Sequence, residues 1–163
     1  MSCLSVTILN RQRKVAVDRP ELESLIARAA RVLEDQAQAA GEVSLVLVSD
    51  RRIRRLNRDF ADIDAPTDVL SFSALEGGME LEEEDLELGD IIVSVETAER
   101  QVGQKDRSGH PRTRSLIEEL TLLFVHGALH LLGHDHGESE EARNMLEREQ
   151  RVMDQIRAKG SKA

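Results

Sequence analysis

Apolar and polar residues alternate at the start of the chain, where Leu4, Val6 and Ile8 are separated by Ser5 and Thr7. This period of two belongs to a strand with one buried face. Pro20 then opens a helix, since proline is tolerated in a first turn. Leu22, Leu25, Ile26, Ala29 and Leu33 form its apolar stripe, and Gly41 ends it. A second strand is expected over 43–48. Asp50 has the character of an N-cap for a short helix reaching Phe60. Ile53, Leu56 and Phe60 are expected to face inward there, while Arg51, Arg54, Arg55 and Arg58 recur at helical spacing on another face.

Residues 69–74 and 91–95 read as third and fourth strands, the fourth leading into a helix that reaches about Gln104. Between the two strands lies an acidic stretch, 76–87, with the composition of a solvated loop and no calcium-loop spacing. After Gly109-His110-Pro111 comes a helix from about Arg114 to Leu132. From Leu120 onward it is apolar on almost every side, which describes a helix buried in the core. A last amphipathic helix, about 139–158, shows Ala142, Met145, Leu146, Val152, Met153 and Ile156. Strands alternating with helices imply an α+β fold, a four-stranded mixed sheet covered by about five helices. The length of 163 residues suits one domain spanning 1–163.

Composition narrows the setting. A single cysteine, Cys3, forms no internal disulfide and fits a reducing cytoplasm. No run of 18 apolar residues is present, so no membrane helix is expected. The net charge of −9 argues against a nonspecific coat on nucleic acid. That charge is unevenly placed: residues 1–60 hold 11 Lys/Arg against 8 Asp/Glu, while residues 76–99 hold 10 Asp/Glu and no Lys/Arg. The overall sign therefore leaves open an RNA-binding face.

The candidate chemistry lies in His126-Gly-Ala-Leu-His130-Leu-Leu-Gly133-His134-Asp135-His136, which holds four of the five histidines. Histidines four apart share one helical face, so the imidazoles of His126 and His130 can reach one zinc ion. His134 on an unbroken helix would lie about 12 Å along the axis from His126, too far for the same ion. Gly133 can take the left-handed conformation that ends a helix. The chain then folds back, and His136 has more room than His134 to supply a third ligand. One zinc per chain on His126, His130 and His136 leaves a fourth position for water, as in catalytic rather than structural sites. Asp135 is a candidate to accept from and orient an imidazole, or to cap the following helix. The spacing matches the H-E-x-x-H-x-x-G-x-x-H pattern of metzincin proteases except that Gly127 stands where the glutamate base would be.

The segment HGALHLLGHDH resembles the HGxLHLxGYDH signature of the YbeY family, and LNRDFADIDAPTDVLSF and LGDIIVSVETAERQ resemble two further segments of that family. The resemblance covers roughly residues 40–155. It implies a zincin-like fold, the same three zinc ligands, and a cytoplasmic endoribonuclease. Cleavage would be specific for single-stranded RNA, in ribosomal-RNA (16S 3′ end) maturation and ribosome quality control. The expected partners are ribosomal RNA and the ribosome, with no DNA and no membrane. It also places Asp68 and Ser71 near the cleft, without a role for either. The chain departs from the family at His134, where tyrosine is usual, and at Ala61, where arginine is common. Arg54, Arg55 and Arg58 are the candidates to replace that arginine at the RNA. Two other functions stay open at this point: a ribosome-assembly factor whose zinc is structural, and a zinc hydrolase of another substrate. Gly127 counts against peptides.

Overall fold

Leu4 and Ile8 are buried and the residues between them are not, so the opening alternation folds as β1 (Leu4–Asn10). The structure, a computed structural model, describes residues 3–37, 39–74, 87–105, 109–111, 113–133 and 139–160. From β1 the chain enters α1 (Arg19–Ala37), whose first turn is capped by Asp18: its side chain accepts from the Glu21 backbone N–H. Pro20 sits in that first turn as expected. The helix ends before Gly41, however, and Gly41 instead begins β2 (Gly41–Val48). Strands β1 and β2 pair in parallel, Leu4 opposite Gly41 and Asn10 opposite Leu47.

Two helices and two strands follow in order: α2 (Asp50–Ala61), β3 (Val69–Ser73), β4 (Glu87–Ser94) and α3 (Val95–Gln101). The sheet order is β1-β2-β4-β3, with β4 parallel to β2 and β3 antiparallel to β4. The fourth strand thus begins four residues earlier than the apolar run suggested, and Val95 belongs to the next helix. At its start the register against β2 shifts between Glu42 and Val43, and Gly89 stands opposite Ser73 of β3. Gly89 has φ +144°, and a Cβ there would lie 2.1 Å from the Phe72 carbonyl oxygen, so only glycine fits.

Helices α4 (Leu116–Leu131) and α5 (Ser139–Gly160) complete the fold. α1 and α4 pack on the sheet, and α5 packs on those two helices. Ile8, Val43, Leu45, Leu47, Ile91 and Val93 from the strands meet Leu22, Ile26, Leu33, Leu120 and Phe124 in that core. α4 is buried almost all round, as its composition demanded. On α5, Met145, Val152, Met153 and Ile156 are buried but Leu146 is exposed. The opposite face of the sheet, with Val46, Ile92, Leu70 and Phe72, is only half-buried, and α2 packs over part of it against β4 and α3.

Two local expectations are corrected. The N-cap of α2 is Ser49, whose side chain accepts from the Arg52 N–H, and Asp50 is the first helical residue. The Asp50 carboxylate is occupied elsewhere: Oδ1 accepts from Ser94 Oγ at 2.5 Å and Thr97 Oγ1 at 2.6 Å, and Oδ2 from Arg100 Nη2 at 2.7 Å. Second, Phe60 does not face a core; it is 71% exposed. It lies on the helix's inward stripe with Ile53, where it meets the half-buried Phe72 ring in a T-shaped contact.

Candidate metal centre

α4 is set by three features of its sequence. Ser115 caps it by accepting from the Glu118 N–H, a near-continuous apolar run buries it, and Gly133 stops it. Gly133 has φ +97° and donates its N–H to the His130 carbonyl, so the helix ends at the position expected. His126 and His130, one turn apart, are the half-buried interruptions of this core helix near its end.

The two imidazoles meet edge to face, with centroids 4.7 Å apart and an interplanar angle of 71°. Their Nε2 atoms stand 3.2 Å from one another. Two nitrogens each about 2.0–2.1 Å from one tetrahedral zinc would stand about 3.3 Å apart. The pair is therefore spaced as two ligands of a single ion are, and these two residues fit the metal expected from the sequence.

His126 is held from behind. Its Nδ1 is hydrogen-bonded to Oε1 of Glu149 on α5, a side chain only 4% exposed. Sequence reading placed the orienting carboxylate at Asp135 and did not find Glu149, because nothing along the chain connects residues 23 positions apart on different helices. The available signal was a charged residue in the apolar stripe of α5, at the spacing of Met145, Val152, Met153 and Ile156. His134, Asp135 and His136 lie outside the described residues, as does most of the acidic stretch. Among the described residues no group of three or more His, Cys, Asp or Glu comes together for a metal.

Gly127 gains a physical explanation. A Cβ there would meet Ile91 Cγ2 at 2.7 Å and Ser71 Oγ at 3.0 Å. This side of α4 is pressed onto β3 and β4, so the position beside the first histidine has no room for a glutamate. Ser71 also donates to the Gly127 carbonyl at 3.4 Å, which places it at the helix that carries the histidines. Asp68 immediately precedes β3. There its side chain accepts from the Val69 N–H and its carbonyl from the Ser94 N–H.

The arginines of α2 are exposed and, with Asp64, line a shallow concavity formed by Arg51, Arg54, Arg55 and Arg58. Arg54 forks onto Asp64 at 2.9 and 3.3 Å, and this hydrogen bond holds the Asp64 carboxyl below its ordinary range. Arg58 reaches the neighbouring Asp59 at 3.5 Å, an exposed contact of little energetic consequence.

Comparison with known proteins adds to this geometry. The family described as "Endoribonuclease YbeY" matches residues 7–157. A Pelotomaculum thermopropionicum protein named "Endoribonuclease YbeY" is 45% identical over 156 residues, covering 94% of this chain and 97% of that one. One of the same name from Brevibacillus brevis is 41% identical, with the same coverage of both chains. The solution structure of TM1509 from Thermotoga maritima superposes with a TM-score of 0.59. It is 26% identical, covering 96% of this chain and 91% of that chain.

Proposed function

The chain belongs to the YbeY endoribonuclease family, and from this premise we propose that it is a single-domain, zinc-dependent endoribonuclease acting on single-stranded RNA. One ion per chain is assigned to His126, His130 and His136. The observation that carries the reading is the 3.2 Å spacing of the two Nε2 atoms on α4, which suits two ligands of one ion. When bound, zinc acidifies a water molecule and stabilises negative charge developing on a phosphate oxygen.

The chain's own residues do the rest. His126 and His130 present their Nε2 atoms from a helix locked in the core, which limits how far either ring can move. Gly133 turns the chain so that His136 can approach, and Asp135 is assigned a supporting hydrogen bond. Gly127 removes the carboxylate base of the related protease pattern, so α4 carries no proton acceptor beside the ion. Arg54, Arg55 and Arg58 are assigned to RNA phosphates in place of the family arginine at Ala61, with Arg54 sharing its guanidinium with Asp64. Such contacts weaken as salt rises. Among the described residues no helix is long and apolar enough to cross a membrane. The substrate is assigned as ribosomal-RNA precursor at the 16S 3′ end, on or near the ribosome in the cytoplasm.

His130→Ala tests the proposal on purified 16S precursor. Zinc content and cleavage should both be lost while ribosome binding persists. Cleavage undiminished in this variant would overturn the metal assignment. Normal ribosome maturation without cleavage would instead favour a non-cutting assembly factor.

A further inference from the structure

Glu149 sits in the middle of the buried stripe of α5, between Met145 and the Val152–Met153 pair, with 3% of its surface exposed. A leucine there would bury apolar surface without difficulty, whereas an ionised carboxylate in such a place is costly unless it is paired. Its hydrogen-bond partner among the described residues is His126 Nδ1. An ionised carboxylate can only accept, so it pairs with a proton on Nδ1, and a neutral ring held this way keeps its lone pair on Nε2. That is the nitrogen facing His130 at 3.2 Å. A free imidazole can carry its proton on either nitrogen.

We infer that Glu149 is a positioning residue for the metal centre. It fixes the tautomer and ring angle of His126 and places a negative charge one imidazole away from the ion. This rests on the zinc reading given above. The arrangement is reciprocal: the carboxylate raises metal affinity, and the ion compensates the buried charge and so tightens the docking of α5 on α4. Removal of Glu149 therefore weighs differently on the two forms of the protein. The metal-free form loses a buried charge that contributes little without the ion. The loaded form loses an orienting partner, a change that commonly lowers metal affinity about 10–100-fold.

The test uses the full chain with zinc alone, measuring affinity by chelator competition and melting temperature with and without metal. Glu149→Leu should bind zinc about 10–100-fold more weakly, yet its metal-free form should melt no lower than metal-free wild type. Glu149→Gln keeps an oxygen that accepts from Nδ1–H and should recover part of the affinity. If Glu149 only held the helices together, Glu149→Leu would lower the metal-free melting temperature and leave zinc affinity within twofold of wild type. That pattern would overturn the inference, as would Gln binding zinc no better than Leu. His130→Ala in parallel separates this from the underlying reading: full zinc binding in His130→Ala would mean that the metal site itself is misplaced.

Discussion

Gly127 provides the sharpest energetic test of how the metal-bearing helix is seated. Replacing a helix-interior glycine by alanine ordinarily stabilises a protein by about 1 kcal/mol, because the backbone loses less freedom on folding. Here the new methyl would stand 2.7 Å from Ile91 Cγ2, 3.1 Å from Ile91 Cγ1 and 3.0 Å from Ser71 Oγ. Ile91 is fully buried in the central strand β4 and cannot yield without disturbing its neighbours. Overpacking of this kind costs about 1–3 kcal/mol. The clash wins: Gly127→Ala should be destabilising by roughly 1 kcal/mol net, about 2–4 °C in melting temperature for a chain of this size. A double-mutant cycle in denaturant isolates the cause. In an Ile91→Ala background, where both clashing carbons are gone, Gly127→Ala should become stabilising by up to about 1 kcal/mol, a coupling of about 1–3 kcal/mol. Ile91→Val keeps both γ-carbons and should give no relief. A Gly127→Ala protein that is more stable than wild type, or a coupling near zero with Ile91→Ala, would refute the steric account of why no glutamate stands here.

Two further predictions follow from the site and its frame. Replacing His136 by alanine should abolish stoichiometric zinc binding, whereas His134→Tyr, which restores the usual family residue, should leave it intact; metal analysis showing the reverse would reassign the third ligand. At Asp50, burial pushes the carboxyl upward, but hydrogen bonds from Ser94, Thr97 and Arg100 outweigh it and hold it below the ordinary carboxylate range. Its contribution is therefore present above the unfolded-state pKa and is lost as pH falls through the lower folded-state value. Asp50→Asn should be less stable than wild type at neutral pH, and the gap should narrow only below about pH 4, as read from denaturant melts across pH. A gap that stays constant down to pH 2 would count against the charged network.

The sequence by itself determined the parts that depend on near neighbours. The alternation at Leu4–Ile8, the all-round apolar run of α4 and the helix stop at Gly133 are set by spacings of a few residues, and so is the facing of His126 and His130. What periodicity cannot state is which partner lies under a given face. The stripe of α2 pointed Phe60 inward, yet the surface it meets is the half-buried Phe72 at the sheet's edge. Asp50 had the residue type of an N-cap, but Ser49 is the cap, and the Asp50 carboxylate is held by Ser94, Thr97 and Arg100, some 44 to 50 residues away. The antiparallel seat of β3 beside β4 and the approach of Glu149 to His126 belong to the same class. Each is a contact between segments far apart in the chain, and only the packing of helices on the sheet brings such groups within hydrogen-bonding range.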